Sequence, residues 1–316
     1  MAYFLFVIGI FLLIFGANWL VDGASSLAKR FQVSDLLIGL TVVALGTSAP
    51  EMIVNLTASM SGNTDMAVGN AIGSNIFNVM VILGFSALLN PIDVKHNTIW
   101  KEIPLNLLAA IVAWLVANDV FFNGATNSAI SRSDGLILLC FFCVFMYYIV
   151  SVAKSDPQSG GAIKVMPLYQ SVLYMVAGIG GLVLGGRWIV DGGVIMARNL
   201  GVSEAVIGLT IISAGTSLPE LATSAVAAYK KNSDIAIGNV VGSNIMNIFL
   251  ILGASAVVAP LPFNPKMNME LLINIGTGIA MFAFLFTGKG RRIDRWEGSV
   301  LLIIYISYIS YLISQQ

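Results

Sequence analysis

The chain is poor in what a soluble catalyst or a soft-metal protein needs. Charged residues make up only 10% of its 316 positions, against about 25% in an ordinary soluble protein. A deficit spread over the whole length cannot be hidden in one core, so much of the surface must face lipid. There is one histidine, His96, in a polar connector beside Lys95. It reads as a solvated loop residue and leaves any histidine-based metal site without a second ligand. The two cysteines, Cys140 and Cys143, lie in an apolar run with no βαβ pattern around them. They read as small buried residues rather than a redox pair. Net charge is zero, so no basic face invites nucleic acid. No glycine-rich phosphate loop is present, which excludes an ATP-driven pump. No serine has a separate general base nearby, so the chain does not read as an enzyme, and nothing calls for a cofactor.

What is there is apolar length. A span needs roughly 20 mostly apolar residues. The pattern predicts an all-α integral membrane protein with ten transmembrane helices, at about 3–22, 35–60, 66–89, 102–121, 133–153, 168–190, 204–229, 234–259, 269–287 and 298–314. No positive residue precedes the first run and a similar segment recurs at 185–190, so the run reads as helix 1 rather than a cleaved leader. The connectors carry the helix breakers and the charges. The longest polar stretch, 154–167, contains SDPQSGG and reads as a flexible linker. Lys29, Arg30, Lys95, Lys101, Lys154, Lys164, Lys230, Lys231, Lys289, Arg291, Arg292 and Arg295 fall in alternate connectors. Only Arg132, Arg187, Arg198 and Lys266 fall on the opposite side. The richer side is cytoplasmic by the positive-inside rule, which puts both termini outside.

The chain also repeats itself at an offset of 169 residues. GTSAPE at 46–51 returns as GTSLPE at 215–220, and GNAIGSNIFN at 69–78 returns as GNVVGSNIMN at 238–247. The register holds without a gap from Gly16/Gly185 through Trp19/Trp188, Asp22/Asp191 and Gly39/Gly208 to Pro91/Pro260. Between 41–84 and 210–253, 20 of 44 positions are identical. The repeats fall at 1–153 and 168–316, joined by the linker at 154–167. Five helices per copy is an odd number, so the second copy crosses the membrane in the opposite sense. Inverted repeats of this kind build transporters, with the site near the midplane between the halves.

The repeated residues are polar where polarity is costly. Glu51 and Glu220 lie well inside helices 2 and 7, and a carboxylate at that depth is a functional hypothesis by default. Pro50 and Pro219 remove an amide hydrogen and clash with the carbonyl four positions back. That frees carbonyls near Gly46 and Gly215, tolerable only where the backbone lines a cavity. Thr47 and Ser48 stand on the face of Glu51, as Thr216 and Ser217 do for Glu220. On helix 3, Ser74, Asn75 and Asn78 share a face, and Ser243, Asn244 and Asn247 repeat it on helix 8. Gly69, Gly73, Gly238 and Gly242 permit close helix approach. Every group in this set offers oxygen, the donor that hard cations such as calcium and sodium take. Plainer readings suit the rest. Asp65 and Asp234 read as helix caps, Asp22 and Asp191 as headgroup-zone residues at the ends of helices 1 and 6, and Arg187 as a snorkelling side chain.

GTSAPE and GTSLPE, each followed by GNxxGSNxxN, resemble the two α-repeats of the sodium/calcium exchanger superfamily, over nearly the whole chain. The resemblance implies a prokaryotic calcium/cation antiporter of the plasma membrane, working by alternating access, with calcium and sodium as substrates and the bilayer as its surroundings. It implies no obligatory protein partner. Its ligand set, carried over by motif, is Glu51, Glu220, Thr47, Ser48, Thr216, Ser217, Ser74, Asn78, Ser243 and Asn247, with backbone oxygens of Ala44 and Ser213. Helices 1 and 6 correspond to the family's sliding gate, which Gly16, Gly23, Gly185 and Gly192 suit. One position departs from the pattern: many family members carry an acid where Asn247 stands, and potassium-dependent members use an acid in this region. Two carboxylates remain in the core here. The expectation is electrogenic exchange of about three sodium ions per calcium. Calcium/proton exchange stays open, since a crowded pair of carboxylates can carry protons. A passive cation channel is the rival from another class.

Overall fold

The computed structural model describes residues 2–155, 165–200, 213–288 and 290–314, and nearly all of them are helical. The first half comprises α1 (Ala2–Arg30), α2 in two halves (Asp35–Thr47 and Ala49–Met60), α3 (Thr64–Leu89), α4 (Thr98–Val116) and α5 (Arg132–Ser155). The second half comprises α6 (Leu168–Asn199), a helical turn at Ser213–Gly215, α7 (Leu218–Tyr229), α8 (Ser233–Val258), α9 (Asn268–Phe284) and α10 (Arg295–Ser314). Among the described residues, seven helices are long and apolar enough to cross a membrane. The halves of α2, bent by 48°, would make an eighth. The expected first part of helix 7 (204–212, with Gly208), most of the linker (156–164, with Lys164), Lys289 and Gln316 lie outside the described residues.

The two motif helices occupy the centre. The apolar stretch of α8 is 94% buried inside the protein and that of α3 72%, against 28%, 22% and 33% for α1, α5 and α6. Residues 36–47 of α2 pack closely on α8: a β-carbon on Gly242 would stand 2.6 Å from the Leu40 carbonyl, so only glycine fits. The long helices α1 and α6 cross antiparallel on the outside. Glycines meet backbone there, and a β-carbon on Gly16 would stand 2.8 Å from the Gly178 oxygen. Hydrogen bonds join the ends of this pair, Ser26 to Ser171 at 2.8 Å and Asn199 to Tyr3 at 3.0 Å.

The connectors gather in two groups. Residues 92–93 pair antiparallel with 292–293. On the same face Lys95 meets Asp234 at 2.5 Å, Asn232 donates to Asp35 at 2.8 Å and Arg30 reaches the Met166 carbonyl. Residues 129–130 pair with 261–262 on the other face. Connectors expected on one side of the membrane therefore meet one another.

Several local expectations are corrected. Helix 1 runs eight residues past Asp22, so this carboxylate sits within α1, where it meets Lys230 Nζ at 2.7 Å. Asp191 likewise lies inside α6, 3.8 Å from Arg187 one turn earlier. The N-caps of α3 and α8 are Asn63 and Asn232, whose side chains accept from Met66 and Ile235. Asp65 and Asp234 stand in the first turn instead, where a carboxylate complements the helix dipole. Cys140 and Cys143 are exposed rather than buried. They lie on a largely outward-facing helix, and apolar patterning cannot tell a lipid-facing position from a core one.

Candidate cation site

Each motif breaks its helix at the serine. Ser48 has φ −82° and ψ 9°, and Ser217 has φ −88° and ψ 7°. The chain restarts as a new helix with Pro50 or Pro219 in its first turn, where no amide hydrogen is needed. The break turns both serines and both glutamates inward. Glu51 and Glu220 are each 1% exposed.

The repeats then exchange hydroxyls. Ser48 donates to Glu220 Oε1 at 2.7 Å and lies 3.0 Å from Ser243 Oγ. Ser217 donates to Glu51 Oε1 at 3.0 Å and lies 3.1 Å from Ser74 Oγ. One floor is built of asparagines. Asn78 donates to Asn244 Oδ1 at 2.9 Å, and Asn247 donates to Asn75 Oδ1 at 3.0 Å. Asn75 also donates to the Asn244 carbonyl at 3.1 Å. A π-helical segment begins at Asn78 and another at Asn247. Such bulges commonly mark functional positions.

With the amide nitrogens spent on the opposite repeat, four oxygens are left over. Glu51 Oε2, Glu220 Oε2, Asn78 Oδ1 and Asn247 Oδ1 are buried with no hydrogen-bond partner. A buried acceptor without a donor costs roughly 1–3 kcal/mol, and more when charged. Both pairs are related by the 169-residue offset, as are the unpartnered hydroxyls of Ser86 and Ser255 further along α3 and α8. The Glu and Asn pairs are the ones that add carboxylate and amide oxygens, the donors an oxygen-seeking cation takes. Among the described residues no three His, Cys, Asp or Glu side chains gather, so hydroxyl and amide oxygens must complete any ligand shell.

The remaining expected residues are placed less evenly. The Ala44 carbonyl accepts the Ser48 amide at 2.9 Å and the Thr47 hydroxyl at 3.2 Å, so in this conformation it is engaged. Ser213 opens the short turn ahead of α7. Thr47 is buried and 3.0 Å from Asn239 Oδ1. Thr216 is half-buried and only 3.4 Å from Asn70 Oδ1. Asn239 and Asn70 are additions to the expected set. Both stand in the repeated GN of the second motif, where the glycines alone suggest a role in helix approach and the asparagines go unnoticed.

The chain is similar to known proteins over nearly its whole length. A family model described as sodium/calcium exchanger protein matches residues 1–151 and 170–314. The candidate antiporter CaxA of Alkalimonas amylolytica is 37% identical over 312 residues, covering 96% of this chain and 95% of CaxA. The sodium/calcium exchanger MaX1 of Methanosarcina acetivorans is 29% identical over 346 residues, covering 97% of each. A solved structure of the sodium-calcium exchanger NCX_Mj, soaked with sodium and strontium, superposes with a TM-score of 0.83 at 33% identity. It covers 98% of this chain and 97% of the other.

Proposed function

The chain belongs to the sodium/calcium exchanger family, and from that membership we propose that it exchanges calcium for sodium at the site between Glu51 and Glu220. The observation that carries the reading is the set of four buried, unpartnered oxygens, two from each repeat. Calcium takes six to eight oxygen ligands, carboxylates and amide oxygens among them. Thr47, Ser48, Thr216, Ser217, Ser74, Ser243 and the Ala44 and Ser213 carbonyls stand as further ligands in this proposal. Two carboxylates balance one calcium, whereas three sodium ions leave the site with one positive charge in excess.

Energetics favours three sodium ions. Expelling calcium against an assumed ~10⁴-fold gradient costs roughly 5.5 kcal/mol. Moving two charges against ~100 mV costs roughly 4.6 kcal/mol more. Each sodium entering down an assumed ~10-fold gradient supplies about 3.7 kcal/mol. Two fall short of the requirement of about 10 kcal/mol and three exceed it. The cycle is therefore electrogenic. We place it in a prokaryotic plasma membrane, as two inverted five-helix repeats (1–153 and 168–316) about the linker at 154–167. The Lys- and Arg-rich connectors then face the cytoplasm and both termini face outward. The grouping of odd and even connectors on opposite faces supports this parity. The glycine-lined crossing of α1 and α6 brings the two backbones into close contact, which suits a pair of helices that move together as a sliding gate.

The test is calcium-45 uptake into sodium-loaded proteoliposomes. Uptake should require the sodium gradient and rise with an inside-positive potential. Uptake driven by a pH gradient without sodium, and unmoved by sodium gradients, would replace this reading with proton exchange. Uptake without any counter-ion would indicate a channel.

A further inference from the structure

One turn from each glutamate an asparagine of the second motif meets a threonine of the opposite repeat, and the two meetings differ. Asn239 is fully buried. Its Oδ1 accepts from Thr47 at 3.0 Å, and its Nδ2 donates to the Glu220 carbonyl at 3.2 Å and to Ser224 Oγ at 2.9 Å. Both amide hydrogens are used, and one side chain ties α2 of the first repeat to α7 and α8 of the second. Asn70 is its counterpart at the 169-residue offset. It is half-buried, and among the described residues its cross-repeat hydrogen bond is to Thr216 at 3.4 Å, at the weak end of hydrogen-bond geometry. Its amide instead donates within its own repeat, to Asn55 Oδ1 at 2.6 Å, and Asn55 in turn donates to the Ala67 carbonyl at 2.9 Å.

We propose that Asn239 and Asn70 are alternating clamps, positioning residues that close one side of the cation site at a time. This rests on the exchange function proposed above. In this conformation the Asn239 joint is shut on the side of the Lys230–Lys231 connector, assigned to the cytoplasm, and the Asn70 joint is slack on the other. Reversing the cycle draws Thr216 onto Asn70 and releases Thr47 from Asn239. Thr47 is suited to the change. Its hydroxyl has one proton and three acceptors in reach: Asn239 Oδ1 at 3.0 Å, the Val43 carbonyl at 3.1 Å and the Ala44 carbonyl at 3.2 Å. It can leave the clamp without losing a partner, because bonding back to its own helix is the ordinary threonine alternative. Neither asparagine is placed among the cation ligands; each acts through the threonine it holds, and the difference between the two faces is what separates a clamp from a change at the ions, which would alter both faces alike.

The test is the apparent calcium KM measured from each face, in right-side-out and inside-out proteoliposomes of the full-length protein. A state that is only partly populated binds with an apparent constant raised by the inverse of its population. Asn239→Ala should open the cytoplasmic side more often and raise the ratio of external to internal KM by about tenfold. Asn70→Ala should lower that ratio. Ser224→Ala, which removes one acceptor from the Asn239 clamp, should raise it by about threefold and decides the matter if Asn239→Ala does not fold. General damage to the protein would move both KM values the same way. Ratios unchanged in the variants, or moved in one common direction, overturn the clamp. Absence of any sodium-dependent calcium flux in the unmodified protein refutes the exchange reading instead, a failure distinct from the first.

Discussion

Ser48 and Ser217 make the same bonds on opposite sides of the site, 2.7 and 3.0 Å to the glutamate of the other repeat. Thr47 and Thr216, one residue earlier, do not: one is buried against Asn239 and the other half-exposed near Asn70. The sequence is identical at all of these positions except the acceptor beyond the amide, Ser224 in one repeat and Asn55 in the other. Around the two glutamates of the proposed site, then, the serines of the two halves agree. One residue earlier, toward each side, threonines and asparagines of the same identity take different geometries. Symmetry of composition with asymmetry of conformation is what an alternating transporter requires, since its two end states interchange the roles of the repeats.

The comparison breaks most sharply if the glutamates prove unequal. Glu51→Gln and Glu220→Gln should each reduce sodium-dependent calcium flux by at least about 100-fold, the scale expected when one charge of a buried partnership is lost. Both variants should remain monodisperse in detergent. Near-normal flux in either would show that one repeat alone holds the ion. A smaller effect is expected at the asparagine floor. Asn247→Asp adds a carboxylate facing the other two, and should change the sodium concentration for half-maximal flux by about three- to tenfold while transport persists. Asn78→Asp should do the same, and a silent pair of variants would remove the amides from the ligand set. The smallest difference concerns the caps. Asn63→Ala should cost about 1 kcal/mol, seen as a small decrease in thermal midpoint. Asn232→Ala should lower the midpoint further, because it also gives up the hydrogen bonds to Asp35 and Ser25, and an equal or smaller loss would show that those bonds contribute nothing.

Much of the site is legible in the sequence. The 169-residue repeat locates both glutamates, both serines and the floor asparagines, because a polar residue inside an apolar run is costly and is kept in register only where it serves a site. The break at the motif is legible from Pro50 and Pro219, although it falls two residues earlier, at the serines, since proline is accommodated in the first turn of the helix that follows. The mismatches share a cause, which is that residue type underdetermines geometry. A charge at Asp22 or Asp191 suggests the end of a span, but in each helix the carboxylate is met by a basic partner and the helix continues. Asp65 and Asp234 compete with Asn63 and Asn232 as caps, and both residue types cap well, so only geometry separates them. Cys140 and Cys143 look buried because a lipid-facing surface is as apolar as a core. The asymmetry between Asn239 and Asn70 is beyond reach of the sequence altogether, since identical residues cannot reveal which of two conformations is occupied.

If one cation is shared between equivalent oxygens of the two repeats, a crystal structure of the protein grown with calcium and without sodium shows it most directly. One ion is expected at about 2.3–2.6 Å from oxygens of both Glu51 and Glu220, with amide oxygen from Asn78 or Asn247 in the same shell. An ion bound to one glutamate alone, or seated away from both, would contradict this.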